Sequence, residues 1–389
     1  MNGKLLTGVR VLDLSRLLPG PFCTLLLSDL GAEVIKVEDV ERGDYIRTWA
    51  PFIGGQGAYF LALNPGKKSV SLNLKAPAGR ELFLKLASTS CVIVESFRPG
   101  TVDRLGIGFR AVESVNPRIV YCSISSFGQD GPDRDKAGHD LNFLARSGLL
   151  GLCGRPEAVP SIPPVQIADL SSALYAVAGI LAYLREAERT GKGRHLDVGM
   201  LDSALSWMVM PVAEYAAGER GGRGRLPLTG KYPCYNVYRT RDGRDVSLAA
   251  LESIFWGAFC RKIGREDLLP LQFSERPEDF ALFEALFASR TGDEWAVLLA
   301  ETDFCCEVVP SLGEVLEDAQ IKHRGLVISP PPGEPGVIRV GHPLRDREEK
   351  VPRACPGQGE HTAEVLSELG VSRTEMDDLE AAGVIRRGR

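Results

Sequence analysis

Three places in the sequence combine residue types that can move a proton or attack a carbonyl. The first is "AGHDLNFLARSG", residues 137–148, where His139 and Asp140 stand side by side after the loop "GQDGPDRDK". The chain has only five histidines. Imidazole titrates closest to neutral pH of the ordinary side chains, so His139 is a candidate general acid or base. A structural reading stands beside it: His139 holds the loop, and Asp140 caps the helix expected from "LNFLARSG". The second place is Asp169 in "QIADLSSALYAVAGIL". An Asp followed by Ser171 and Ser172 suits a helix N-terminus, as a cap or in the first turn. There the helix dipole favours an anion, which could serve as a base or a nucleophile. The third is Glu252, between "DVSLAAL" and "SIFWGAF". It either caps the helix that follows or, from a strand end, pairs with a histidine and raises its basicity. Positive charge gathers at Lys67, Lys68, Lys75, Arg98 and Arg104, each next to an expected strand. Solvated surface charge explains them, and so does a polyphosphate ligand at one sheet edge.

These residues need elements to hold them. "VRVLDLS" (9–15), "EVIKVE" (33–38), "SVSLNL" (69–74), "CVIVES" (91–96) and "RIVYCSISSFG" (118–128) read as strands, with helices such as "GPFCTLLLSDLGA" (20–32) and "GRELFLKLAS" between them. Short β-branched runs alternating with helices imply a parallel sheet of βαβ units, whose ligands bind at the carboxyl ends of the strands. No GxGxxG follows the first strand, so a dinucleotide fingerprint is absent. A long helix is expected from about Asp169 to Glu188, then a strand at "RHLDVGM" (194–200) and a helix from "DSALSWMVM". "AAGERGGRGRLPLTG" (216–230) is Gly- and Arg-rich and reads as a linker between domains. Beyond it, "YNVYRTRDGRDVSLAAL" is a hairpin with Asp242-Gly243 at its turn, followed by several helices, which together make a smaller α+β domain. "SPPPGEPGVIRVGHPLRD" (329–346) reads as extended.

The 389 residues, 44% hydrophobic and 25% charged, suit two domains or one large one, with ample core material. The net charge of −5 and the lack of any basic run argue against a nucleic-acid partner. The opening "MNGKLLTGVR" has no apolar signal region, and the longest uncharged stretch near the middle, "LSSALYAVAGILAYL" (170–184), falls short of the roughly 20 residues of a membrane span. No membrane association is expected, and that stretch reads as a core helix. Nine scattered cysteines with no CxxC spacing point to reduced thiols in a cytoplasmic protein, with no zinc site.

In this order the pieces resemble the family III CoA-transferases, the group that includes formyl-CoA transferase and the 2-methylacyl-CoA racemases. "GVRVLDLSRLLPGPFCTLLLSDLGAEVIKVE" is similar to the family's opening, and "NPGKKSVSLNLK" and "VIVESFRPGTVDRLG" to its CoA-binding strands. "TGKGRHLDVGMLDSAL" and "GQGEHTAEVLSELG" are family-like as well. The resemblance implies an α/β fold with a Rossmann-like large domain built from both chain ends (1–215 and 329–389) and a smaller α+β domain (225–328). It also implies two ring-like subunits interlocked as a homodimer. The substrate it implies is an acyl-CoA, with CoA carried as part of the substrate and no permanently bound cofactor or metal.

The resemblance places the family's catalytic aspartate at Asp169. In transferases that residue attacks the thioester and forms an acyl-aspartyl anhydride. In racemases it is one of two acid/base groups at the α-carbon. "GHDLNF" resembles the racemase motif that supplies the second, His139, with Asp140 beside it, and Glu252 falls where racemases place a glutamate partner for that histidine. CoA contacts are expected at Ser71, Leu72, Asn73, Leu74 and Lys75, and at Ser96, Phe97, Arg98 and Arg104. A third group is Gly138, Leu141, Asn142 and Phe143. Asp39 stands where many members carry an arginine near the adenine, which leaves Arg42 or Arg47 to replace it. "GERGGRGR" is too charged to match the glycine run of formyl-CoA transferase. Backbone N–H groups at the start of the Asp169 helix are the expected donors to an enolate oxygen. The first expectation is a 2-methylacyl-CoA or 2-arylacyl-CoA racemase working by 1,1-proton transfer. The alternative is a CoA-transferase that moves CoA to a carboxylic acid through an acyl-Asp169 anhydride.

Overall fold

The computed structural model describes residues 4–300, 304–330, 336–345 and 353–388. The chain forms two compact units. One joins Met1–Ser147, Val165–Ser206 and Ala319–Arg389; the other joins Gly148–Pro164 and Trp207–Asp318.

The first unit is built on β1 (Arg10–Asp13), α1 (Pro19–Asp29), β2 (Glu33–Glu38), β3 (Lys68–Leu72), α2 (Pro77–Ala87), β4 (Val92–Glu95), β5 (Val120–Ser125), α3 (Asp140–Arg146), α4 (Ile167–Thr190) and β6 (Arg194–Gly199). The strands lie side by side in the order β3-β2-β1-β4-β5-β6, all parallel. The C-terminal strand Ile385–Arg386 closes the β3 edge antiparallel. Side chains alternate as a strand's period of two requires. Leu12, Ile35, Val70, Ile93 and Tyr121 face a core completed by Phe83 and Leu86 of α2 and by Leu366 and Met376 near the C-terminus. Val11, Val34, Val92, Val120 and Cys122 face the other way, onto Leu26 and Leu27 of α1 and Ala173, Ala176, Val177 and Ile180 of α4. By length and composition alone α4 is long and apolar enough to cross a membrane. Within the unit its small-residue stripe is buried, as in a core helix. α1 starts on Pro19 and Pro21, where a helix loses nothing by lacking an N–H.

The sequence strands all fall within two or three residues of the observed ends. Both chain ends contribute to this unit: His342 Nε2 lies 2.9 Å from Asp29 Oδ2 at the end of α1, and Arg353 donates to Ser28 Oγ at 2.8 Å. Part of the expected extended segment 329–346, residues 331–335 and 346, lies outside the described residues. Its described part pairs Arg339–Val340 with Val327–Ile328.

In the second unit β7 (Tyr235–Arg239) and β8 (Asp245–Ala249) form the expected hairpin around Asp242-Gly243, with Thr240 N donating to Arg244 O at 2.8 Å. β9 (Cys306–Val308) pairs with the free edge of β8. Helices α5 (Ser253–Lys262), α6 (Pro277–Phe287) and α7 (Gly292–Leu299) supply an aromatic core of Trp256, Phe259, Phe283, Phe287 and Trp295, onto which Tyr238 stacks 4.7 Å from Phe287.

The Gly/Arg-rich segment 216–230 is not a linker. The chain changes unit at Ser206–Trp207, and the segment is packed inside the second unit against residues 148–164: Arg223 Nε donates to Arg155 O at 2.9 Å and Arg225 pairs with Glu157 at 3.2 Å. The return to the first unit comes at Ala319 rather than 329.

Candidate active site

Two buried charged groups of the first unit have to be separated before a site can be drawn. At the carboxyl end of β1, Asp13 accepts from Ser15 N at 2.9 Å, Thr24 Oγ1 at 2.7 Å and Lys67 Nζ at 3.1 Å. Lys67 is fully buried, and Pro21 O, Thr24 Oγ1 and Asn64 Oδ1 also lie 2.8–3.0 Å from its Nζ, so four acceptors share its three protons. Lys36 is equally buried and pairs with Asp44 at 2.9 Å while donating to Ser15 O at 2.8 Å. Burial alone would raise the Asp13 carboxyl, but Lys36 and Lys67, helped by Ser15 and Thr24, hold it well below the usual carboxylate range. Burial draws Lys67 down to about 8 against the pull of Asp13. This cluster is saturated and clamps β1, α1 and β3 together. Lys67 is therefore no phosphate ligand. Lys68 is committed as well, to Glu33 at 2.7 Å and Glu364 at 2.8 Å.

Asp169 is different. It lies in the first turn of α4, 7% exposed, and no side chain neutralises it. The residue preceding α4, Gln166, gives no side-chain cap. The cap comes from 26 residues upstream of it: Asp140 Oδ1 accepts from Ala168 N at 2.7 Å and from Asp169 N at 3.2 Å. Asp140 thus caps α4 rather than its own helix. The sequence reading gave it to "LNFLARSG"; sequence neighbours cannot show that a second helix start lies within reach. Its Oδ1 positions Asp169 through these two bonds. The same bonds engage the Ala168 and Asp169 N–H groups, two of the donors expected for an enolate oxygen at the start of this helix. Among the described residues, Ile167 N–H is the first-turn donor of α4 that remains for it.

Burial, and then the neighbouring Asp140 charge, push the Asp169 carboxyl up from 3.8 to about 7. Asp140 is itself raised by burial, with the two N–H bonds opposing. A carboxyl that is half protonated near neutral pH can either give or take a proton.

His139 is the N-cap residue of α3. It is exposed, and its backbone N–H is bonded to Asn142 Oδ1 at 3.0 Å, so Asn142 fixes the turn on which the imidazole sits. His139 is thus one residue from a side chain bonded to the Asp169 backbone. Gly138 precedes it because any Cβ there would come 2.5 Å from the ring of Phe143. Phe143 is fully buried, edge-on to Phe127 at 5.3 Å; it anchors α3 and is not available to a ligand. Leu141 is exposed on the same turn. Glu252 belongs to the second unit, at the N-cap position of α5, exposed and making no side-chain bond to the helix.

The crevice of a doubly wound sheet lies where neighbouring strands lead off in opposite directions, here outside the ends of β1 and β4. Ser96 Oγ accepts from Arg16 N at 3.2 Å, and the Arg16 guanidinium lies over the Phe97 ring at 5.4 Å. Leu17 has φ 65, a conformation costly for leucine and characteristic of functional turns. Buried Glu95 accepts from Phe97 N at 2.7 Å and fixes this turn; burial raises its carboxyl to about 7 against the opposing bonds from Ser123 and Phe97 N–H. Arg98 and Arg104 are exposed beyond it. Of the run 71–75, Ser71 and Leu72 are buried and paired with the C-terminal strand. Leu74 packs on the core, which leaves Asn73 and exposed Lys75 as the part a ligand can reach. Arg47 is not free for adenine: it grips Glu38 with two bonds of 2.6 and 2.8 Å and stacks on Phe60 at 3.7 Å.

Two residues were missed from sequence. Arg16 follows the carboxyl end of β1, a signal that was present in "DLSRLLPG". Tyr45 feels the charge of Asp169 as well as Asp44 and Arg16, and its phenol is raised chiefly by burial; nothing in its sequence context marked it.

With this geometry in view, the relatives can be compared. CoA-transferase family III matches residues 6–362. The chain is 34% identical to the succinyl-CoA:glutarate CoA-transferase of Mus musculus, over 99% of this chain and 91% of that protein. It is also 34% identical to the alpha-methylacyl-CoA racemase of Homo sapiens, over 99% of this chain and 98% of that protein. The crystal structure of a CAIB/BAIF family protein from Brucella suis matches with a TM-score of 0.82 and 30% identity, covering 95% of this chain and all of that one. The chain belongs to CoA-transferase family III and has the fold of an enzyme acting on acyl-CoA.

Proposed function

We propose that this family III enzyme is a 2-methylacyl-CoA (or 2-arylacyl-CoA) racemase working by 1,1-proton transfer between His139 and Asp169. One group takes the α-proton from one face of the thioester, the enolate forms, and the other returns a proton to the opposite face. Each group must therefore change roles between the two directions of reaction. The observation that carries this reading is the Asp169 carboxyl held near neutrality by burial and by Asp140. A nucleophile gains from staying anionic; an acid/base pair gains from a pKa near the working pH. His139 follows in the role of second base because α3 brings it within one residue of the Asp140 bond to Asp169. Glu252 is assigned to tune the imidazole. CoA enters as part of the substrate, seated on the Arg16, Ser96 and Phe97 turn, with Arg98, Arg104 and Lys75 available to its phosphates.

The transferase reading keeps support from the likeness to succinyl-CoA:glutarate CoA-transferase and from an Asp169 carboxylate with no hydrogen-bonded partner. A cytoplasmic homodimer, interlocked as the family resemblance implies, is the proposed state. The exposed apolar side chains Trp207, Val209, Met210, Val212 and Tyr215 support it as a surface requiring cover, and the nine free thiols support the compartment.

The deciding experiment uses deuterated water. The enzyme is incubated with (R)- and (S)-2-methylacyl-CoA, without free acid, and α-deuterium uptake is followed by NMR. Uptake from both epimers is expected, falling at least 100-fold in His139→Ala. No uptake, together with an Asp169 hydroxamate left when hydroxylamine cleaves the acyl-aspartyl anhydride and expels the acid, would establish the transferase instead.

A further inference from the structure

Glu252 is exposed and makes no side-chain bond to the helix it precedes, so its position is that of the backbone that carries it. That backbone is a sharp corner. β8 ends at Ala249, α5 begins at Ser253, and Leu251 N donates back to Ala249 O at 3.1 Å, the bond of a three-residue turn. The N–H groups entering the corner are answered by other chain segments: Ala249 N donates to Cys305 O at 2.8 Å and Ala250 N to Cys234 O at 2.9 Å. The carbonyls leaving it are answered by one side chain. Gln272 Nε2 donates to Ala250 O at 3.1 Å and to Leu251 O at 2.8 Å.

Gln272 is itself held for this task. It is 9% exposed and directly follows the turn Glu266–Leu271. Leu269 O in that turn accepts from Trp256 Nε1 at 3.0 Å, which ties the turn to α5, and Gln272 O accepts from Cys234 N at 3.4 Å. A primary amide offers two protons on one neutral nitrogen, which is what two adjacent carbonyls need. Lysine would bring a charge into this buried place, glutamate would set oxygen against oxygen, and methionine would leave both carbonyls without this donor. The corner matters because catalytic groups lose rate steeply when displaced: a shift of about 1 Å can cost ~100-fold.

We propose that Gln272 is a positioning residue for Glu252: it fixes the corner from which that carboxylate acts, and touches no reacting atom itself. This role holds only if Glu252 tunes the imidazole, as proposed for the racemase.

The test compares Gln272→Met, Glu252→Gln and the double variant in the deuterium-uptake assay, with kcat and KM taken from about pH 6 to 9. Gln272→Met should lower kcat by about tenfold or more with KM within about twofold, and should shift the pH–rate profile in the same direction as Glu252→Gln. In the double variant the Gln272 change should cost less than about twofold beyond Glu252→Gln, because the group it positions is gone. General loosening of the unit would instead multiply the two losses and leave the profile in place. If Gln272→Met does not fold, Gln272→Glu, of the same length and with at most one proton to donate, carries the same comparison. Multiplied losses, or Gln272→Met at the parental rate while Glu252→Gln is impaired, overturn the positioning role and leave Glu252 in its own. Glu252→Gln at the parental rate, or a parent without uptake, removes the tuning role and the positioning role with it.

Discussion

Asp13 and Asp169 are two carboxylates of one unit, 0% and 7% exposed, that behave in opposite ways. Asp13 meets two buried lysines and two hydroxyls and is held anionic far below neutral pH. Asp169 meets another carboxylate and no cation, and is held near pH 7. Burial is the same in kind at both; what differs is whether the neighbours answer the charge. An answered charge fixes the backbone and is chemically silent. An unanswered one costs stability and is available for proton transfer.

The largest effect should come from breaking the silent cluster. Lys67→Met removes the ammonium that serves four acceptors and leaves Lys36 as the only cation answering Asp13. Removing one partner of a buried pair costs about 3–5 kcal/mol, so urea unfolding should show a loss of that size. A loss below about 1 kcal/mol would mean the cluster does not clamp β1 to β3.

The reverse sign is expected at Asp169. Between about pH 4 and 7 the unfolded chain has released the Asp169 proton while the folded chain still binds it, so stability contributed by this group falls as pH rises through that window. At about 1.4 kcal/mol per pH unit, a carboxyl titrating near 7 instead of 3.8 costs the fold up to ~4 kcal/mol at pH 8. Asp169→Asn should therefore abolish activity and stabilise the protein, by roughly 2 kcal/mol more at pH 8 than at pH 5 in urea melts. Equal effects at the two pH values would show that the carboxyl is not raised.

The sequence made the scaffold legible because alternating β-branched runs and a 24-residue helix leave few other folds. It also made Asp169 and His139 legible as residue types. It could not separate the two kinds of charged residue. Lys67 and Lys68 sit together in "NPGKKSV" and look alike, yet one is buried under α1 and the other is bridged to Glu33 and Glu364. Asp140 looked like the cap of the helix it begins, and only the fold brings α4 to it. The same limit explains the false linker: glycines and arginines in "GERGGRGR" read as solvent-facing until Pro156 and Arg155 close on them.

The smallest effect is the most discriminating, because Asp140 acts on Asp169 in two separable ways. It caps α4 through two N–H bonds, and it adds a negative charge that raises the Asp169 carboxyl. Asp140→Asn keeps an oxygen for the cap and removes the charge. Its stability should stay within about 0.5 kcal/mol of the parent, while the Asp169 limb of the kcat/KM profile moves to lower pH. Only part of the rise should go, since burial is the larger cause. Asp140→Ala removes both, and should cost a further ~1–2 kcal/mol in melts and loosen the first turn of α4. Identical pH profiles for the parent and Asp140→Asn would mean that burial alone sets Asp169. Identical melts for Asn and Ala would mean the cap adds nothing, and that the contrast with Asp13 rests on desolvation rather than on how neighbours answer the charge.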